Sequence, residues 1–203
     1  MTNNFVVITT GYTASGKSTA AKRIAEKTSA DLYHSAVVRK DLGYKFTKEQ
    51  AAEDFFLLTS NLRRGMDIEV YNKLSENCRK SLIKKHNVVL DAGFFFKWQR
   101  KLIYKNIIGL NTETFIVRIE CPEEEIFKRI LDRNKKFSDS ELNETPSLKA
   151  YESSKKVFQN PEEDFNIYYQ YPKIIKYNSH TKKISTNIPT ESCNLIKIIN
   201  ALQ

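Results

Sequence analysis

The stretch GYTASGKST, Gly11–Thr19, follows the apolar run FVVITT and precedes the helix-forming run AAKRIAEK. Gly11, Gly16, Lys17 and Ser18 fill every fixed position of the pattern glycine, four free residues, glycine, lysine, hydroxyl residue. Strand, glycine-rich turn and helix is the order in which a backbone wraps its N–H groups around a phosphate. The two glycines let those groups turn inward, and the helix that follows offers the positive end of its dipole to the same anion. Ser15 and Thr19 belong to this cradle. Lys17 is placed for the outer phosphates of a nucleoside triphosphate, and the Ser18 hydroxyl for Mg²⁺.

Outward from this loop, apolar runs alternate with helical periodicity. Phe5–Thr10, a short piece at Leu32–His34, Val88–Gly93 (VVLDAG), Thr114–Glu120 and Ile174–Tyr177 read as strands. Helices are expected at Lys17–Thr28, Lys48–Leu62, Ile68–Lys85 with Asp67 as its cap, Trp98–Ile108, Glu123–Asp132 opened by Pro122, Ser147–Val157 and Cys193–Leu202. The alternation predicts an α/β fold: a mostly parallel sheet covered by helices on both faces, with ligands beyond the C-terminal ends of the strands. Asn134–Pro146 is polar and without period.

Three further residues bear on chemistry. Asp91 ends VVLDAG, where a carboxylate can hold Mg²⁺ or orient a hydroxyl. Arg129 and Arg133, four apart on a helix beside the polar segment, form an arginine pair on a lid spanning about residues 129–146. Such a pair can neutralise the charge that grows on a transferring phosphoryl group, or can serve as surface charges paired with Glu123 or Glu125.

Composition narrows the class. The chain has 203 residues, 40% of them hydrophobic, enough for a single domain over residues 1–203. No apolar segment approaches a membrane span and no secretory signal is evident; with Cys78, Cys121 and Cys193 scattered, a cytoplasmic protein without a disulfide framework is expected. The net charge of +9 is uneven: residues 1–100 carry 17 Lys and Arg against 10 Asp and Glu, the rest 16 against 14. The excess sits with the glycine-rich loop and favours anionic ligands. His34, His86 and His180 stand far apart with no partners at ligand spacing and read as structural or surface residues.

GYTASGKST, HSAVVRKDLG (His34–Gly43), NVVLDAGFFFKWQR (Asn87–Arg100) and CPEEEIFKRILDRNKKFSDS (Cys121–Ser140) occur in the order in which the chain resembles the small P-loop kinases that include polynucleotide 5′-hydroxyl kinase, chloramphenicol phosphotransferase and the zeta-toxin-like group. The resemblance implies ATP and Mg²⁺ as cofactors, Arg39 on the acceptor side, Arg129 and Arg133 in the lid, and a basic position at Arg100. It departs at one point. Such kinases read Ser-Asp-x-x-Arg, the Asp orienting the acceptor hydroxyl, where this chain reads Ser35-Ala36-Val37-Val38-Arg39. Three consequences stay open: Asp91 or Asp41 replaces that carboxylate, transfer proceeds without it, or the chain binds nucleotide without an acceptor.

Phe94, Phe95, Phe96 and Trp98 follow Asp91 directly, and successive residues of a loop cannot all face one core. With Arg100 on one side and Phe55, Phe56, Arg63 and Arg64 on the other, they are candidates for an acceptor pocket. The expected activity is transfer of the γ-phosphate of ATP to a hydroxyl of a nucleic acid 5′ end, a nucleoside or another small molecule. The alternative is a nucleotide-binding protein or slow NTPase with a regulatory role. A nucleic acid acceptor predicts that Lys84, Lys85, Lys97 and Lys101 join Arg63 and Arg64 in one basic surface. No recognisable motif encodes the acceptor's identity or the oligomeric state.

Overall fold

The computed structural model describes residues 3–44, 61–136, 148–167, 173–189 and 192–203. Its elements are β1 (Asn4–Thr10), α1 (Lys17–Thr28), β2 (Asp31–His34), α2 (Ser35–Asp41), α3 (Asn61–Ile83), β3 (Val88–Asp91), α4 (Lys97–Ile107), β4 (Thr112–Glu120), α5 (Glu123–Lys136), α6 (Leu148–Val157), a 3₁₀ helix at Pro161–Ile167, β5 (Lys173–Asn178), β6 (Ile184–Thr186) and α7 (Cys193–Leu202). The six strands form one sheet in the order β2-β3-β1-β4-β5-β6. All neighbours are parallel except the β5–β6 pair, which is antiparallel. The α/β architecture expected from the alternation is thus observed.

The central strands are apolar on both faces because both are covered. Alternate residues of a strand point to opposite sides, so Val6 and Ile8 of β1 join Val88 and Leu90 of β3 beneath α3 and α4, whose Val70, Leu74 and Ile103 complete that core. Phe5 and Val7 face the other way, with Val89, Phe115 and Val117, against Ala21 and Ile24 of α1 and Leu195 and Ile198 of α7. Each such fully buried branched or aromatic side chain contributes about 1.5–3 kcal/mol. Helix α7 starts where Ser192 Oγ accepts the Leu195 N–H at 3.3 Å. In α1 the small Ala20 and Ala21 let the helix lie close on the sheet, while Lys22 and Glu26 stay outside.

The structure corrects one boundary. Asp67 does not cap a helix: α3 already begins at Asn61, and Asp67 lies more than a turn inside it, next to Met66 on its buried side. The face formed by Met66, Val70, Leu74 and Cys78 carries the helical pattern upstream past the expected cap. Strand β6 and the 3₁₀ helix were not expected. Most of the helix expected at Lys48–Leu62, Phe55 and Phe56 included, and the lid segment beyond Lys136 lie outside the described residues. No helix among the described residues is long and apolar enough to cross a membrane.

Candidate active site

The glycine-rich loop joins the C-terminal end of β1, in the middle of the sheet, to the N-terminus of α1. Gly11 takes φ +147°, and a Cβ there would collide with the Ile119 carbonyl of the neighbouring strand; Gly16 takes φ +99° with Arg129 and Ser179 close behind it. Both positions need glycine. Ala14 also has positive φ, 61°, and its methyl group is buried with Ile126, Ile130 and Tyr151. Tyr12 packs edge-on against Tyr151 and Phe158, with ring centroids 5.8 and 5.2 Å away. The loop is therefore anchored from outside by α5 and α6, leaving its inner side to the strand ends.

Lys17 Nζ donates to the Tyr12 carbonyl at 2.8 Å and stands 5.9 Å from the centre of the Phe95 ring. Ser18, one residue further into α1, brings its Oγ to 3.4 Å from His34 Nε2. His34 ends β2 and is paired in register with Asp91 at the end of β3. Counting from Val89, which faces α1, Asp91 faces α1 as well, and the two side chains meet at 3.2 Å between His34 Nε2 and Asp91 Oδ2. Thr9 Oγ1 lies 3.5 Å from Asp91 Oδ1. Asp91 is almost fully buried. Ser18 and Asp91, the two residues expected at a metal, thus converge from different elements on one imidazole. A hydroxyl and a carboxylate are the hard oxygen donors that Mg²⁺ takes, with water completing its shell, so this donor set fits the cation. Among the described residues no cluster of three or more His, Cys, Asp and Glu side chains forms a site of another kind.

The arginines divide. Arg129 is folded under the loop: its Nη1 donates to the Ser15 carbonyl at 3.1 Å and to Ser179 Oγ at 3.0 Å, with the Ala14 carbonyl at 3.5 Å, and its Nε donates to Glu125 Oε1 at 3.0 Å. Ser179 Oγ in turn donates to the same Ser15 carbonyl at 2.6 Å. The guanidinium beside Glu125 holds that carboxyl below its ordinary range. Of the two expected uses of Arg129, the ion pair with Glu125 is the one observed; its other bonds are to the outer carbonyls of the glycine-rich loop and to Ser179. Arg133, one turn on, is exposed. Arg39 is buried on α2, while Asp41 is exposed at that helix's end.

The aromatic run after Asp91 separates as its length required. Phe94 is fully buried and edge-on to Tyr71 at 5.1 Å, in the core rather than in a pocket. Phe95 is half-buried and turns toward Lys17, Phe96 precedes α4 with its N–H on Gln99 Oε1, and Trp98 is partly exposed at 5.6 Å from Tyr71. Arg100 overturns its expected place. Its guanidinium has no exposure and is bound to Asp164 through Nε–Oδ2 at 2.6 Å and Nη2–Oδ1 at 2.8 Å, with Nη1 donating to the Phe94 carbonyl at 2.7 Å. The period of α4 explains this, since Gln99, Arg100, Ile103 and Ile107 share its buried face. The pair braces the loop that carries Phe94 at φ +45°.

Arg64 is exposed near the start of α3 beside Arg63, but Lys84 and Lys85 follow its other end, so about 30 Å of helix separates the two groups. His34 is the site residue that sequence reading missed: its partners lie 16 and 57 positions away, Ser18 on α1 and Asp91 opposite it in the strand register.

Among curated proteins none matches the chain. Solved structures do. A sugar kinase from Janibacter sp. is 14% identical, with a TM-score of 0.58 over 86% of this chain and 85% of that one. The Mycobacterium tuberculosis APS kinase CysC, solved with AMPPNP and APS, is 16% identical, with a TM-score of 0.54 over 100% and 99%. Chaetomium thermophilum Kti12, solved with ADP-AlF3, is 15% identical, with a TM-score of 0.57 over 80% and 84%. At these identities the likeness is one of fold. A family model described as AAA domain matches residues 6–161, which contain the glycine-rich loop, His34, Asp91 and the α5 arginines, and on that match the chain belongs to this family.

Proposed function

We propose that the chain is an ATP-dependent phosphotransferase that moves the γ-phosphate to a hydroxyl group of a nucleoside, a nucleic acid 5′ end or another small molecule. The observation that carries this reading is the convergence of Ser18, at the head of the phosphate loop's helix, with Asp91, at the end of the neighbouring strand. When bound, Mg²⁺·ATP supplies the phosphoryl group and offsets its charge. The chain's own residues then have separable tasks. The loop backbone, held in shape by Arg129 from behind, presents its N–H groups to the phosphates. Lys17 exchanges the Tyr12 carbonyl for the outer phosphates. Ser18 and Asp91 would hold the metal, Thr19 would complete the cradle, and Arg39 and Arg133 would supply positive charge on the acceptor and lid sides.

With Phe94 in the core, Phe95, Phe96 and Trp98 are the members of the aromatic run left to contact an acceptor, whose rings they can stack. Transfer of labelled γ-phosphate to a panel of nucleosides, sugars, amino alcohols and 5′-hydroxyl oligonucleotides tests the reading. Labelled product with any of them supports it; nucleotide binding without a labelled acceptor defeats it.

A second reading rests on Ala36. Its methyl group takes no proton, and its N–H is committed to His34 Nδ1 at 3.0 Å. A nucleotide-binding protein that hydrolyses ATP slowly and signals through its bound state fits that residue. Inorganic phosphate as the sole labelled product, unchanged by every acceptor, would select it.

A further inference from the structure

His34 has a second bond that fixes what its first can be. The Ala36 backbone N–H, the second residue of α2, donates to His34 Nδ1 at 3.0 Å, so Nδ1 carries a lone pair. In a neutral imidazole the proton is then on Nε2, which lies 3.2 Å from Asp91 Oδ2 and 3.4 Å from Ser18 Oγ. A ring locked in this tautomer cannot offer Nε2 to a metal, because that nitrogen's lone pair is used by the proton. It can only donate. In the contact with Asp91, Nε2–H is therefore the donor and the nearly buried carboxylate the acceptor.

We propose that His34 is a positioning residue for the metal centre, its Nε2–H orienting the Asp91 carboxylate toward Ser18 so that the two oxygen donors are pre-set before Mg²⁺ arrives. The proposal rests on the phosphotransferase reading of that centre. Three features support it. The parallel register of β2 and β3 puts His34 and Asp91 side by side on the α1 face. Thr9 Oγ1, which donates to the Leu90 carbonyl at 3.1 Å, stands 3.5 Å from the other carboxylate oxygen and limits its movement on that side. The ring is itself held at its far nitrogen by the start of a helix, which removes the rotational freedom that would let Nε2 wander. Outer partners of this kind change metal affinity by about 10- to 100-fold when they are removed.

The two bonds of the ring can be separated by substitution. His34→Asn keeps a side-chain acceptor for the Ala36 N–H, as asparagine is a good N-cap, but has no atom at the Nε2 position. His34→Gln keeps a donor nearer to Asp91. Mn²⁺ affinity is measured by electron paramagnetic resonance on the full chain with AMPPNP, alongside metal-free AMPPNP binding and thermal melting. We expect His34→Asn to melt as the wild type does, to bind metal-free AMPPNP equally, and to weaken Mn²⁺ about 10-fold or more, with His34→Gln recovering part of the loss. Unchanged Mn²⁺ affinity in His34→Asn would reduce His34 to a helix cap and overturn the proposal. Pulsed resonance on protein labelled with ¹⁵N-histidine gives a second way to fail: a directly bound histidine nitrogen on Mn²⁺ would show the ring to be a ligand. Absence of Mn²⁺·AMPPNP binding in the wild type would remove the phosphotransferase reading itself, and the proposal with it.

Discussion

Arg100 and Asp164 offer the sharpest energetic test, because both side chains are essentially without exposure and are joined by two hydrogen bonds of 2.6 and 2.8 Å. Arg100→Leu leaves the Asp164 carboxylate buried without its cation and deprives the Phe94 carbonyl of its 2.7 Å donor. Breaking a buried pair by removing one partner costs about 3–5 kcal/mol. For a chain of this size that lowers the melting temperature by about 6–20 °C, at roughly 2–4 °C per kcal/mol. Asp164→Asn should fall in the same range. The double variant Arg100→Leu/Asp164→Leu should recover most of the loss, since removing both charges abolishes the desolvation cost along with the attraction. Calorimetry and urea titration of the three variants give the cycle. If Arg100→Leu melts within about 2 °C of the wild type yet raises the KM for an acceptor, Arg100 lines the pocket and the brace argued from its burial is wrong.

Lys17→Ala should lower phosphoryl transfer by about 100-fold or more, the usual cost of one donor aimed at developing charge, with melting unchanged; retained activity would exclude the loop as the phosphate site. Arg129→Ala should weaken nucleotide binding about 10-fold or more by releasing the loop carbonyls, whereas Arg133→Ala should lower turnover with little change in the nucleotide Kd; calorimetric titration and steady-state rates separate the two. The Ser81 hydroxyl, helped by His86, holds the Asp31 carboxyl below its ordinary value of 3.8. Its stabilising contribution is therefore present above that pH and lost as the pH falls through the lowered value, so Asp31→Asn should lower stability by a constant amount in the neutral range and flatten the acid limb below about pH 4. Melting curves from pH 2 to 7 check this.

What could be read from the sequence was local. Gly11–Ser18 declares itself because a phosphate cradle needs its residues at fixed short spacing, and VVLDAG because a strand buried on both faces is a continuous apolar run that ends in a carboxylate. The fold class followed from their alternation. Contacts between distant residues were not legible. Arg100 finds Asp164 across 64 positions, and nothing in the polar sequence around residue 164 marks it as buried. His34 reads as structural because its neighbours in sequence offer no ligand, while its neighbours in space come from elsewhere, Asp91 through strand register and Ser18 from the start of α1. Asp67 misled in the opposite way, since a residue type suited to a helix cap lies inside a helix whose buried face starts earlier.

Strand β1 lies at the centre of the sheet, and its partners come late in the chain: Val6 pairs with Val88 on one side and with Thr114 on the other. During synthesis the run FVVITT therefore emerges with no strand to bond to for more than 80 residues. At about 5–20 residues per second the ribosome takes roughly 4–16 s to deliver the first partner. Throughout that interval an apolar segment with high strand propensity stands open to other nascent chains, and α1 behind it can shield only one of its faces. This placement of β1 predicts aggregation on rapid overexpression that slower translation, or chaperones that hold extended apolar segments, should relieve.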